Sequence, residues 1–260
     1  MSESPKSQKE LFSDQELMRY SRHIMLPQLD VEGQLSLANS TVLIVGVGGL
    51  GAAVTQYLAA SGVGEMLLAD HDIVEESNLQ RQIIHTQAAL GGYKVESAKK
   101  AVEAINPNVT VRMIKQSVGD SNLPEFIQQV DLVIDCCDNF STRIAINKAC
   151  KANGKILVSG AAIRFEGQIT TFDFRRDDSP CYQCLYDLTG NENLSCSEAG
   201  VLSPLVGVIG SYQAVEAIKC LTGAGKNLCG RVQIFDGLQG QWREFRVKQD
   251  PECSVCGLKA

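Results

Sequence analysis

The sequence predicts an α/β protein. It should have a Rossmann-like mixed sheet, parallel in the N-terminal half and antiparallel in the C-terminal half, with a structural zinc site. Three observations predict this. Strand-like apolar runs alternate with helical periodicity from Thr41 to Ser159, the rhythm of parallel strands joined by crossover helices. The first run, "VLIVGVGGLG" at 42–51, ends in a glycine-rich turn that opens a helix. After Gly160 the rhythm changes to the period-two pattern of "GQITTFDF", as in a half-buried antiparallel strand.

The elements follow in order. Residues 1–12 read as a flexible N-terminus and 13–260 as a single domain. Ser13 begins "SDQE", a capping box in which Glu16 reaches back. It starts a helix that runs to about Leu26, with Leu17, Tyr20 and Ile24 on one face, and Pro27 follows. A short helix around Val31–Ala38 leads to strand Thr41–Val45, helix Leu50–Ser61 and strand Glu65–Ala69. An irregular stretch, Asp70–Gly92, comes next. Helix Tyr93–Ile105 carries Val95, Ala98, Val102 and Ile105 at helical spacing, and Asn106-Pro107 stops it. Then come strand Val109–Ile114, helix Leu123–Val130, strand Leu132–Asp135, helix Ser141–Asn153 and strand Ile156–Ser159. A polar loop fills 175–203. Helix Pro204–Thr222 is apolar nearly all round, which predicts a buried helix. Strands Arg231–Phe235 and Trp242–Val247 are spaced as a hairpin.

The bulk numbers exclude some functions. The net charge is −6 over 260 residues, so no basic field favours nucleic acid. The most apolar stretch, "VLSPLVGVIGSYQAVEAIKCL", is interrupted by Pro204, Glu216 and Lys219 and does not read as a membrane span. The N-terminus has no apolar signal-peptide core, and a cytoplasmic location is expected.

Gly46, Gly48, Gly49 and Gly51 fit G-x-G-x-x-G at a strand-to-helix turn. Glycines let the backbone approach phosphates, and the helix N-terminus supplies N–H groups and a positive dipole end. Asp70 ends the next strand, where a carboxylate can accept from ribose hydroxyls. A dehydrogenase would look the same to this point. The "GAGKN" at 223–227 lacks the spacing and the Ser/Thr of a Walker loop.

A polar set separates the cofactors. "SNLQRQ" offers Asn78 and Arg81, "GGYK" places Lys94 in the first turn of a helix, and "DCCDN" puts Asp138 beyond the carboxyl end of a buried strand. That strand edge is where open α/β sheets hold ligands. Asn78, Arg81 and Lys94 suit a polyphosphate, and Asp138 suits Mg²⁺. Such a set favours attack at phosphorus, where charge accumulates on non-bridging oxygens and on the leaving group. A nicotinamide enzyme would need an acid or base at a hydride site instead.

Ten cysteines are present, four of them as "CYQC" (Cys181, Cys184) and "CSVC" (Cys253, Cys256). Two Cys-x-x-Cys pairs make a closed four-thiolate site, for which zinc is the default metal and an iron–sulfur cluster the rival. Cys196, in the polar loop, is either a nucleophile or an idle thiol. Cys136, Cys137, Cys150, Cys220 and Cys229 read as core fillers, and His23, His71 and His85 as structural.

Taken together, "RYSRHIMLP", "VLIVGVGGLG", "LLADHDIVEESNLQRQ", "GGYKVESAK", "DLVIDCCDNFSTR", "GQITTF", "PCYQC", "EAGVLSPLVGVIGS" and "CSVCG" resemble the ThiF/MoeB family of adenylyltransferases, relatives of ubiquitin-activating enzymes. The resemblance runs from about Asp14 to Gly257. It implies that ATP is consumed. The C-terminal Gly-Gly carboxylate of a small ubiquitin-fold sulfur-carrier protein is adenylated, in molybdopterin biosynthesis or, alternatively, in the thiamine pathway. It implies Asp70 on ribose, Asn78, Arg81 and Lys94 on phosphates, Asp138 on Mg²⁺, and Cys181, Cys184, Cys253 and Cys256 on zinc. It also implies a homodimer in which Arg22 reaches the partner's phosphates, and a sulfur donor that is a separate protein. Cys196 matches a conjugation cysteine of some members.

Overall fold

The computed structural model describes residues 9, 11–186 and 199–257. Most of the N-terminal segment expected to be flexible lies outside them. Within it, Lys9 is tied to Asn39 through both its N–H and its carbonyl, and the Phe12 ring lies 5.7 Å from that of Tyr20.

Strand β1 (Thr41–Val45) is an interior strand, third in the order of one eight-stranded sheet. Beside it run β2 (Glu65–Ala69), β3 (Thr110–Ile114), β4 (Leu132–Asp135), β5 (Ile156–Ile163), β6 (Glu166–Asp173), β7 (Arg231–Asp236) and β8 (Gln241–Arg246). The order is β3-β2-β1-β4-β5-β6-β7-β8. β1 to β5 pair in parallel, and β5 to β8 pair antiparallel. The chain goes from β1 outward to β3 and then returns to the other side of β1. This reversal opens a crevice beyond the carboxyl ends of β1 and β4.

Alternation along the central strands creates two cores. Val42, Ile44, Met66, Leu68, Leu132 and Ile134 face one side, against α3 (Gly49–Ser61), α4 (Lys94–Ile105) and the long α8 (Ser203–Thr222). Leu43, Val45, Leu67, Val133 and Leu157 face the other, against α5 (Leu123–Gln128), α6 (Phe140–Ala152) and the short α7 (Tyr182–Leu185). A strand buried on both faces has no polar side, which is why these runs read as continuous apolar stretches. The N-terminal helices α1 (Asp14–Ile24) and α2 (Asp30–Asn39) precede the sheet, and the Ser13 capping box forms as expected.

Three local expectations are corrected. β5 continues past Ser159 to Ile163. Gly160, Ala161 and Ala162 lack the bulky side chains that mark a strand, and pairing with β6 extends it regardless. The long helix is not buried all round, since Val208 and Val215 are exposed. Its Glu216 is buried, with Oε2 accepting from the Thr171 hydroxyl at 2.9 Å and the Leu228 N–H at 2.7 Å. Leu17 on α1 faces solvent, while Tyr20 is buried.

The tightest turn joins β1 to α3. Gly46 has φ +89°, in the left-handed region, and a Cβ there would come within 2.8 Å of the Cys136 carbonyl oxygen. A Cβ on Gly51 would overlap the Gly46 carbonyl oxygen. Gly51→Ala should therefore destabilise the protein by about 1–3 kcal/mol, the usual cost of forcing atoms into a packed site. The measurement is the urea unfolding midpoint, and an unchanged midpoint would show that the turn relaxes freely.

Candidate active site

A cavity of about 820 Å³ opens at the crevice between β1 and β4, within the size range of small-molecule sites. The floor is the turn after β1. Gly46, Gly48 and Gly49 line it, and α3 starts at Gly49 with its N-terminus toward the cavity. Gly51 does not line the cavity but packs the helix onto the strand. The glycine loop is held at Val47 from both sides. Its N–H donates to Asp70 Oδ2 at 2.8 Å. Its carbonyl lies 3.0 Å from His85 Nε2, and His85 Nδ1 lies 3.0 Å from the Ser97 hydroxyl. A carbonyl only accepts, so Nε2 carries the proton and Nδ1 accepts from Ser97. Burial, with help from the Lys94 charge, pushes the His85 pKa down and keeps the ring neutral. His85 is thus structural, as its sequence suggested, and its structural task is to brace the loop.

Asp70, Arg81, Lys94 and Asp138 all line the same cavity. They come from four separate segments: the ends of β2 and β4, the irregular stretch, and the start of α4. Asp70 accepts one N–H on each carboxylate oxygen, from Val47 and from Asp72 at 2.9 Å, which leaves lone pairs for further donors. Arg81 donates to the Ser77 carbonyl at 3.1 Å. Lys94 is buried, and its Nζ lies 2.8 Å from Asp72 Oδ2. Its backbone N–H also donates to the Asp72 carbonyl at 2.9 Å. A Lys at the first helical position is mildly disfavoured by the helix dipole, and Asp72 compensates that charge.

Besides Gly51, two predicted residues are not brought to the cavity wall. Asn78 is buried in a 3-10 turn, where its Oδ1 accepts the Glu75 N–H at 3.2 Å. It shapes the segment that presents Arg81. Arg22 is exposed on the last turn of α1 and does not line the cavity of this single chain. Cys196 lies outside the described residues.

The sequence reading missed a buried pair at the cavity, of which Arg143 lines the wall and Asp135 lies behind it. Arg143 on α6 donates to Asp135 Oδ2 at 3.0 Å, to the Gly160 carbonyl at 2.9 Å and to the Cys137 carbonyl. Ser159 also donates to Asp135 at 2.8 Å. Burial opposes the Arg143 charge, but the Asp135 carboxylate beside it holds the guanidinium protonated, its pKa raised. Burial drives the Cys136 and Cys137 thiols well above the usual range, so both are inert packing, as expected. Asp72, Gln82, Tyr182 and Tyr186 also line the cavity without a sequence signal. No spacing rule links them to the glycine loop.

The four paired cysteines converge. Sulfur–sulfur distances are 3.6 Å for Cys181–Cys253, 3.9 Å for Cys181–Cys184 and 3.2 Å for Cys184–Cys256. All four Sγ atoms lie within 4.8 Å of one another. A tetrahedral ion with metal–sulfur bonds near 2.3 Å needs sulfurs about 3.8 Å apart, so the cluster could hold one metal ion. Cys181 and Cys184 flank Tyr182 at the start of α7, so metal ligands and cavity wall share one turn.

Comparison with known proteins gives three findings. The ThiF family model matches residues 20–255. The chain is 50% identical to the molybdopterin-synthase adenylyltransferase of Escherichia coli K12 over 245 residues, covering 94% of this chain and 98% of that protein. It is 41% identical to the mouse adenylyltransferase and sulfurtransferase MOCS3, covering 97% of this chain and 55% of that one. In structure it is similar to E. coli MccB solved with MccA-N7isoASN, with a TM-score of 0.82 at 23% identity, covering 93% of this chain and 75% of that one. That likeness carries the fold alone.

Replacing Arg143 with Met should destabilise the protein by about 3–5 kcal/mol, because Asp135 would be left as a buried, uncompensated charge. Chemical denaturation measures this, and a loss below about 1 kcal/mol would mean that solvent reaches Asp135.

Proposed function

The chain belongs to the ThiF family, and from that premise we infer that it works as an adenylyltransferase in molybdenum-cofactor biosynthesis. It activates the C-terminal carboxylate of a small sulfur-carrier protein with ATP. We read the carrier as a ubiquitin-fold protein ending in Gly-Gly. The observation that carries this reading is the convergence of Arg81, Lys94 and Asp138 on one cavity over the glycine loop. The relatives of matching length are molybdopterin-synthase adenylyltransferases, which favours that pathway over the thiamine one.

The geometry suits in-line displacement at the α-phosphorus. The loop N–H groups and the α3 N-terminus receive phosphate oxygens. Asp70 accepts from ribose hydroxyls with its remaining lone pairs. A carboxylate oxygen of the carrier tail forms a bond to the α-phosphorus, the bond to the bridging oxygen breaks, and pyrophosphate leaves with the electron pair. The products are an acyl-adenylate and pyrophosphate. Lys94 and Arg81 stabilise the charge that grows on the leaving group. Asp138, an exposed carboxylate at the cavity, would hold Mg²⁺, which when bound neutralises phosphate charge. A nucleophilic sulfur presented by a separate donor protein would later attack the acyl carbon, forming the carbon–sulfur bond as the acyl–oxygen bond breaks and AMP leaves.

Other parts of the reading rest on particular residues. Met18, Met25 and Val31 are exposed on α1 and α2, an apolar surface that a second copy would cover. A homodimer of that kind would carry Arg22 toward the partner's phosphates. The continuous sheet supports one adenylation domain over 13–260. None of the nine cysteines among the described residues forms a disulfide, in keeping with a reducing cytoplasm. No helix among the described residues is long and apolar enough to cross a membrane.

Two predictions follow from these assignments. Lys94→Ala and Asp138→Ala should each lower carrier-dependent ATP–pyrophosphate exchange by about 100-fold or more with unchanged circular dichroism. Near-normal exchange in both would remove them from the reaction. Metal analysis of the purified protein should find about one zinc per chain. Cys253→Ser should release that zinc and lower the melting temperature, and a metal-free wild-type protein of normal stability would refute the zinc site.

A further inference from the structure

Asn147 lies on α6, one turn after Arg143, and is fully buried. Its Oδ1 accepts the Tyr182 N–H at 2.9 Å. A backbone N–H only donates, so this contact fixes which end of the amide is oxygen. The other end, Nδ2, is buried and finds no hydrogen-bond acceptor among the described residues. An unpaired buried donor costs free energy, so a neighbour that becomes a good acceptor when a ligand binds is the physical explanation.

That neighbour is not in the ATP cavity, whose wall includes Tyr182 and Arg143 but not Asn147. It is the residue before Tyr182. Cys181 is fully buried as well, and its sulfur is within hydrogen-bonding reach of the Asn147 side chain. A neutral thiol is a weak acceptor, whereas a thiolate is a charged one, and charge-assisted hydrogen bonds are about twice as strong. Metal binding makes that conversion: the ion takes the sulfur as thiolate, and the thiol proton leaves to solvent. One sulfur of the cluster already receives an amide donor, since the Asp250 N–H lies 3.4 Å from Cys184 Sγ.

We propose that Asn147 is a positioning residue of the four-cysteine site: its Nδ2–H donates to the metal-bound Cys181 thiolate while its Oδ1 keeps the Tyr182 N–H. One side chain then joins the metal to the turn that carries a cavity tyrosine. This rests on the zinc site proposed above and adds to it a residue outside the ligand set.

The test uses the full-length chain and two variants. Asn147→Asp keeps an oxygen for Tyr182 and removes the side-chain N–H groups. Asn147→Leu removes both and adds no charge. The loss of the donor is what they share. Zinc affinity, measured by competition with a chelator, should fall about 10- to 100-fold in each, the usual effect of losing a hydrogen bond to a metal ligand. With Co²⁺ in place of zinc, the sulfur-to-cobalt charge-transfer band should move to longer wavelength in each, because a sulfur that loses a donor gives up its electron more readily. A second arm needs no variant: a crystal structure of the zinc-loaded wild type should place Nδ2 against Cys181 Sγ. Zinc affinity within threefold of wild type in both variants, or an unmoved cobalt band in both, would overturn the assignment. A change confined to Asn147→Leu would trace to the Tyr182 contact, and one confined to Asn147→Asp to the added charge; either would overturn it too. So would a zinc-loaded structure with Nδ2 on another acceptor. Wild-type protein that takes up neither zinc nor cobalt would overturn the zinc reading itself, whereas metal-loaded wild type with indifferent variants would overturn this inference alone.

Discussion

The constraint on which the rest of the structure depends is the close approach of backbone to backbone where β1 turns into α3. Gly46 and Gly51 bring strand and helix closer than any side chain would allow. The helix axis therefore starts low over the sheet edge, with its first N–H groups facing the cavity. Val47, between them, has its N–H held by Asp70 and its carbonyl held by His85. The loop is thus braced before any ligand arrives. Preorganised donors cost no rearrangement at the moment of reaction, and this is why rigidity matters here.

Charge is distributed in two layers around that turn. The lower layer is the Asp135–Arg143 pair, buried and closed upon itself, with Ser159 and two backbone carbonyls completing it. It ties β4, β5 and α6 together at the cavity wall, where Arg143 is one of the lining residues. The upper layer is Asp72, Lys94, Arg81, Asp70 and Asp138 at the cavity wall. Within it Asp72 and Lys94 are directly paired.

Much of this was legible in the sequence because it is local. Strands β1, β2 and β4 coincide with their apolar runs, and the glycine loop follows from spacing alone. The Ser13 capping box formed as its residues suggested. The four cysteines met across a gap of 68 residues, because metal-ligand spacing is itself a local signature. Other features were illegible for a physical reason. Asp72 meets Lys94 only because the irregular stretch folds back against α4. Arg143 reads as one more helix cation until Asp135 is placed beneath it. β5 looked short because Gly160 leaves room for the Gln213 side chain of the packing helix, a requirement set by a residue 53 positions away. The sequence places Asn78 at phosphate, and its amide oxygen caps a turn, a use that spacing does not distinguish from the other.

The interleaving on α7 has a consequence for the order in which the molecule is completed. Tyr182 and Tyr186 line the chamber, while Cys181 and Cys184 beside them wait for Cys253 and Cys256. During synthesis the ribosome delivers the glycine loop first and those last two thiols some two hundred residues later. A nascent chain can build β1 to β5 and most of the chamber's cations while this wall is still unanchored. A metal held by all four thiols would fix this turn only after Cys256 emerges. Securing of this wall by the four thiols therefore waits on the emergence of Cys256, and a product truncated before it would keep its glycine loop but lack a secured wall.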